Sequence, residues 1–148
     1  MENTKTWLLI ANASKAQLYS LHKARFFQEQ HPQNLNSIAQ YTHDKSRQKG
    51  TELATDKLGG FGTGTFVEAT TPKFHEAEVF AIELIQHLNE GRAAGSFRDI
   101  VLIAPPTFMG LLHKHMPQET HKLISQTIEK DYTAFSGHEL VKNLMTHF

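Results

Sequence analysis

The segment KLGGFGTGTF, residues 57–66, has the composition of a ligand-binding loop and comes shortly before a helix signal. Its glycines, among them Gly59, Gly60 and Gly62, permit positive φ angles and a close approach of the backbone to a ligand. A loop delivered to a helix N-terminus brings free N–H groups to the positive end of the helix dipole, which suits a polyanion or a small ligand. It is not a P-loop, because no Lys-Ser or Lys-Thr pair follows the last glycine.

Charged residues surround these glycines, and the acidic ones offset part of the positive charge. They are His43, Lys45, Arg47, Lys49 and Lys57 against Asp44, Glu52 and Asp56. One interpretation is a solvated surface loop without a partner. The other is a partner-binding site, for which we predict Lys45, Arg47, Lys49, Lys57, Gly59, Gly60, Phe61 and Gly62. The predicted partner is RNA, a ribosomal surface or another protein.

His75 and Glu78 are three residues apart at the start of the predicted helix and therefore share one of its faces. The pattern favours an i,i+3 ion pair near the helix N-terminus. The alternative is a hydrolase that cleaves an ester or phosphoester, with His75 and either Glu78 or Asp131 as acid–base groups. Asp131 has its own simpler interpretation, a carboxylate that caps the connection by hydrogen bonding.

Metal chemistry is not predicted. The HExxH pattern is absent, because Val79 stands where its second histidine belongs. A two-metal nuclease needs several carboxylates around the central strands, and here Asn12 follows the first strand while Ile100–Ala104 contains no acidic residue. We therefore predict neither a metal nor another cofactor.

Composition bounds the class of protein. The chain has 148 residues, which fits one domain, and no cysteine, which excludes disulfides and thiolate chemistry. Fifteen basic residues balance fifteen acidic ones, so a polyanion would have to bind a local patch. The apolar run Trp7–Ala11 is too short for a signal segment or a membrane span. We expect a cytoplasmic protein that does not contact the membrane.

The first 70 residues predict a short sheet followed by a long loop. Apolar and alternating residues predict a β-hairpin from Trp7–Ala11 and Ala16–Leu21. Phe26–Gln30 reads as a third strand, which His31-Pro32 ends. Asn34–Gln40 suggests a short helix or an irregular turn. From Tyr41 to Thr70 periodicity is lost, which predicts a long flexible loop, residues 41–70.

The second half predicts alternating helices and strands. Thr71 is the expected N-cap and Pro72 the first residue of a helix that Gly91 and Gly95 terminate. The elements after it are a central strand Asp99–Ala104, a helix Thr107–His115 capped by Thr107, a helical turn Gln118–Leu123, a strand Ile124–Glu129, and a helix Gly137–Met145 capped by Ser136.

This order, β-β-β-α-β-α-β-α, predicts an α/β fold with a mixed five-stranded sheet and flanking helices. It matches the ribonuclease H-like arrangement. Residues 1–148 are expected to form a single domain, because too little chain follows the long loop for a second one. A homodimer formed through an edge strand is compatible with the sequence, which does not require it.

Four segments resemble one family in the same order: WLLIANASKAQLY, HEAEVFAIEL, DIVLIAPPTFMGLL and EKDYT. They are similar to the bacterial host attachment proteins, a family that in turn resembles the middle domain of archaeo-eukaryotic peptide-chain release factors. The resemblance implies a ribonuclease H-like fold. In release factors a Gly-Gly-Gln loop lies in the corresponding stretch, and its glutamine positions water against peptidyl-tRNA.

In this chain Phe61 follows Gly59-Gly60, and phenylalanine cannot orient water by hydrogen bonding. The resemblance therefore implies a non-catalytic binding module that contacts RNA, the ribosome or a protein. The alternatives are the hydrolase described above and an adhesion factor at the cell surface, which the family name invites and the missing signal segment opposes.

Overall fold

The computed structural model of the chain describes residues 5–43 and 71–147. In these ranges the chain forms five strands and five α-helices, with a 3₁₀ turn at Pro32–Asn34. In chain order they are β1 (Lys5–Ala11), β2 (Lys15–His22), α1 (Lys23–Glu29), β3 (Asn36–Thr42), α2 (Pro72–Ala93), β4 (Asp99–Ile103), α3 (Pro106–Lys114), α4 (Gln118–His121), β5 (Ile124–Ile128) and α5 (Gly137–Met145).

The strands form one mixed sheet in the order β3-β2-β1-β4-β5. The predicted hairpin is confirmed, because β1 and β2 pair antiparallel from Lys5 opposite His22 to Ala11 opposite Ala16. β3 extends the sheet antiparallel to β2, whereas β4 and β5 run parallel to β1. The carboxyl ends of β1, β4 and β5 therefore lie along one edge of the sheet.

Hydrophobic cores cover both faces of the sheet. On one face Trp7 and Leu9 of β1 pack with side chains of α2 and α3, such as Phe80 and Leu112. On the other, Leu8 and Ile10 pack with residues of α1 and α5, such as Phe26 and Leu144. All residues of β4 from Ile100 to Ile103 are fully buried, as its unalternated apolar run predicts.

The predicted third strand, Phe26–Gln30, is wrong, because these residues belong to α1 and its C-cap. Phe26 is fully buried and Phe27 is 54% exposed, the pattern of a short helix that turns one side to the core. The third strand is β3, where the sequence suggested a helix or turn. Its side chains are mostly exposed, so it lacks the apolar alternation that marks a strand. The predicted start of the long loop at Tyr41 is also wrong, because β3 continues through Tyr41 to Thr42.

The start of α2 is as predicted. Thr71 is its N-cap, with Oγ1 accepting a hydrogen bond of 3.1 Å from the backbone of Phe74, and Pro72 is the first helical residue. Gly91 does not end the helix, which continues to Ala93. This position inside the helix requires a glycine, because a Cβ there would stand 2.4 Å from the Trp7 ring. Gly95 follows the helix with a φ of +69°.

Two predicted caps differ from the structure. α3 begins at Pro106, with Pro105 in the cap position, so the capping role predicted for Thr107 is wrong. Ser136 does precede α5, whose bounds are as predicted, but its hydroxyl makes no capping hydrogen bond.

Candidate functional site

The predicted partner-binding residues all lie between positions 44 and 70, outside the residues that the structure describes. They are Lys45, Arg47, Lys49, Lys57, Gly59, Gly60, Phe61 and Gly62. The contribution of these residues to a site therefore stays a prediction from sequence.

His43 is part of the core and does not belong to a basic surface patch. Its Nε2 lies 2.9 Å from Oε1 of Glu76, and both side chains are 9% exposed. The imidazole also stacks on the Phe80 ring, with centroids 5.3 Å apart. Since His43 follows β3 and Glu76 lies in the first turns of α2, this contact holds the end of the sheet against the helix.

The ion pair predicted between His75 and Glu78 is wrong. Oε2 of Glu78 accepts hydrogen bonds from Nζ of Lys114 at 2.8 Å and from Nε2 of His115 at 2.7 Å. These bonds, first that of Lys114 and then that of His115, lower the pKa of Glu78. Spacing along α2 permits the local pair, but Lys114 and His115 at the end of α3 are the groups that reach the Glu78 carboxylate. His75 is exposed on α2.

Asp131 lies at the carboxyl edge of the parallel strands, where it contacts Asn12. Its Oδ1 accepts from the backbone of Thr133 at 2.9 Å, which confirms the predicted capping role. Nδ2 of Asn12 donates to Oδ2 of Asp131 at 3.1 Å and to Oγ1 of Thr133 at 3.0 Å. Oδ1 of Asn12 accepts from the backbone of Ser14 and Lys15. Asn12 thus joins the β1–β2 turn to the segment after β5.

The environment of Asp131 favours its charged form. Partial burial raises the pKa of this carboxyl, but the hydrogen bonds from Thr133 and Asn12 and the charge of Lys15 outweigh burial, so the pKa lies below its ordinary value. Among the described residues, no hydrogen bond or ion pair joins any two of His75, Glu78 and Asp131. The acid–base set proposed for a hydrolase is therefore not assembled.

A cleft of about 330 Å³ lies beside Asn12 and Asp131; we call it the Lys15 cleft. Its sheet side is lined by Lys15, Gln17, Gln40 and Thr42, and its other side by residues 132–136, which connect β5 to α5. Gln17 and Gln40 are opposite each other in the β2–β3 pair. The carboxyl edge of parallel strands is where open α/β sheets commonly hold ligands.

Sequence reasoning missed this cleft. Gln17 and Gln40 come from strands that pair in register, and the strand that carries Gln40 was not predicted. The available signal was the polar turn Asn12–Lys15 directly after a buried strand. Because such a turn ends a strand at the ligand-binding edge of an α/β sheet, it marks a place to look for binding groups.

Residues 5–43 and 71–147 present neither a metal-binding cluster nor a helix that could span a membrane. They contain no group of three or more histidine, aspartate or glutamate side chains placed to hold a metal ion. None of their helices combines the length and the apolar character that crossing a membrane requires.

Solved structures support the fold class. Ten chains of known structure match this one. One of them, named only as an archaeal protein, is 10% identical, with a TM-score of 0.51, and the match covers 99% of this chain. The chain spans 34% of the length of that protein, so the likeness shows a shared α/β fold and nothing of its activity.

The sequence comparisons identify the family. No curated protein matches the chain. The sequence model of a family described as "Protein required for attachment to host cells" matches residues 7–144, from Trp7 in β1 to Leu144 in the last turn of α5. The chain therefore belongs to the host attachment protein family.

Proposed function

We propose that this member of the host attachment family is a non-catalytic binding module and that the Lys15 cleft is its site for a small polar ligand. The observation that carries the proposal is the cleft itself, a concave site of about 330 Å³ at the carboxyl edge of the sheet. Its volume is at the lower end of the range for ligand pockets. Its polar groups, an ammonium, two amides and hydroxyls, are groups that bind and orient.

The state of the carboxylates supports a binding role over catalysis. Glu78 and Asp131 both have lowered pKa values and are held by neighbouring donors. A carboxylate in this state is charged at neutral pH, so it is a poor general acid, and its low basicity makes it a weak general base. His75 is exposed and is not hydrogen-bonded to either of them.

NMR titration tests the binding role. Amide spectra are recorded while adenosine, ribose 5-phosphate, AMP and inorganic phosphate are added in turn. We expect shifts confined to Lys15–Gln17, Gln40 and residues 132–136. Ala134→Trp places a bulky side chain at an exposed position of the cleft and should abolish the shifts. Ala24→Trp, at an exposed alanine of α1 outside the cleft lining, is the control and should leave them unchanged.

The result that overturns a ligand site is the absence of shifts at the cleft with every probe. The non-catalytic part is tested separately with p-nitrophenyl acetate and p-nitrophenyl phosphate. Turnover that disappears in His75→Ala while the fold is retained would establish the hydrolase alternative.

Contact with RNA or the ribosome through Lys45, Arg47 and the glycines after them is a separate proposal from sequence. A pull-down at low salt, with and without ribonuclease, compares the natural chain with the Lys45→Glu/Arg47→Glu double variant. Ribosomal material that is lost with ribonuclease and in the variant supports this contact, and its absence from both contradicts it. The strand order β3-β2-β1-β4-β5 supports the ribonuclease H-like and release-factor-like relation that suggested the partner.

A further inference from the structure

We infer that the ligand of the Lys15 cleft is a phosphate monoester of a small sugar or nucleoside, with its phosphate at Lys15. The inference rests on the proposed binding function of this cleft and adds the chemical class of the ligand. It is carried by the charge of the lining, the volume of the cleft and the hydrogen-bonding groups inside it.

The charge of the lining favours an anion. Among the described residues that line the cleft, Lys15 carries the only full charge at neutral pH, and none is acidic. Lys15 makes no ion pair with another described residue, although it is close enough to Asp131 to influence its pKa. Asp131 does not line the cleft, and its carboxylate already accepts hydrogen bonds from Asn12 and Thr133. The ammonium group is therefore available to a phosphate.

The volume favours an occupant larger than a bare ion. A cleft of about 330 Å³ is much larger than one inorganic phosphate and too small for an extended polymer. A single anionic group matches the single ammonium. The remaining space then holds an uncharged body of the size of a sugar or a nucleoside.

The other lining groups fit a body with hydroxyl or amide groups. The side-chain carbonyl of Gln17 accepts a hydrogen bond from the hydroxyl of Tyr19, which leaves the side-chain N–H groups of Gln17 as donors for a ligand. The Gln40 side chain opposite it makes no hydrogen bond to the described residues, and neither does the Ser136 hydroxyl. Tyr132 and Phe135, in ring contact at 5.2 Å, add an apolar wall to the cleft. A ligand ring with polar edges would pack against this apolar wall and form hydrogen bonds with the amide and hydroxyl groups of the lining.

Calorimetry with defined probes tests the inference. The dissociation constants of AMP, ribose 5-phosphate, adenosine and inorganic phosphate are measured for the natural chain and for Lys15→Met, Lys15→Arg and Lys122→Met. We expect at least one monoester to bind at least about 10-fold tighter than both adenosine and inorganic phosphate, the usual scale of a charge-assisted hydrogen bond. Lys15→Met should remove this advantage, and Lys15→Arg should retain most of it.

Lys122→Met removes an exposed lysine that does not line the cleft, so it controls for the loss of one positive charge. Since Lys15 is exposed, its variants are expected to fold, and their amide spectra check this. Adenosine binding at least as tightly as both monoesters, unchanged in Lys15→Met, would overturn the anionic class but leave the ligand site standing. An equal loss of monoester affinity in Lys15→Met and Lys122→Met would also overturn the anionic class, since such a result would show a general effect of charge. Absence of binding by every probe would overturn both proposals.

Discussion

His43 and Glu76, 33 residues apart along the chain, form a buried contact of 2.9 Å between Nε2 and Oε1. The contact joins His43, the last residue of the described range 5–43, to the first turns of α2. Two ionisable side chains are removed from water here, and the contact gives each of them a hydrogen bond. The consequences can be measured as stability.

Replacing His43 with alanine should lower the free energy of unfolding by about 2–4 kcal/mol, because it removes a hydrogen bond to a buried carboxylate and the ring stacked on Phe80. Urea denaturation measures the change. His75→Ala, at an exposed histidine of the same helix, is the matched control and should change stability by about 0.5 kcal/mol or less. Equal effects of the two substitutions would show that the His43–Glu76 contact adds nothing to stability.

Gly91→Ala should destabilise the protein by about 1–3 kcal/mol, since the added Cβ would lie 2.4 Å from two atoms of the Trp7 ring and the core cannot easily move. The matched control is Gly110→Ala in the middle of α3, where a Cβ meets nothing within 4 Å. That variant should gain about 0.5–1 kcal/mol from helix propensity. Thermal unfolding measures the change in stability of both variants. A Gly91→Ala variant that is more stable than the natural chain would disprove the tight approach of β1 and α2.

Asp99→Asn should lower stability by about 1–2 kcal/mol at neutral pH and much less in acid. Burial raises the pKa of Asp99, but hydrogen bonds from Lys23, Thr6 and Ser125 outweigh it, so the pKa is lower in the folded chain. The contribution is therefore complete above about pH 4, the ordinary carboxyl pKa, and is lost as the pH falls through the folded value.

Urea denaturation of the natural chain and Asp99→Asn at several pH values between 2 and 7 tests this. Glu83→Gln serves as the control, because Glu83 is an exposed carboxylate with no ion pair to another described residue. A stability difference for Asp99→Asn that stays constant over the whole pH range would contradict the prediction.

Asn12→Asp should lower stability at neutral pH more than at pH 4.5. The substitution keeps the oxygen that accepts from Ser14 and Lys15 but replaces the donor to Asp131 with a second carboxylate oxygen. Two adjacent carboxylates repel each other when both are charged, and protonation of one relieves the repulsion. Asn12→Ala removes the same donor without adding charge, so its loss of stability should change less between the two pH values. Identical pH dependence of the two variants would refute this reasoning.

Prediction from sequence succeeded where local residues decide the structure. The unalternated run of β4, the Thr71 cap and the β1–β2 hairpin were all predicted, because each depends on a pattern within a few residues. α1 was missed because seven residues show too little periodicity to separate a helix from a strand. β3 was missed because an edge strand with exposed side chains owes its structure to pairing with β2.

The candidate site was harder to predict, since its groups meet only in the fold. Glu78 was assigned to His75 by spacing, yet its partners come from the end of α3, 36 and 37 residues later. Asn12 and Asp131 are separated by 119 residues. Topology brings such pairs together, and a single sequence gives the topology only after the strands have been identified correctly.

The central position of β1 also has a consequence for the order of folding. β1 can pair with β2 as soon as both are made, since only four residues separate Ala11 from Ala16, the pair nearest the turn. Its other neighbour, β4, arrives much later, because Thr6 and Asp99 are 93 residues apart. Parallel pairing at such a separation must first overcome a large loop-closure entropy, which makes it a late and slow event. Until then the second edge of β1 lacks its neighbouring strand, and in a chain cut before Asp99 that edge stays without β4.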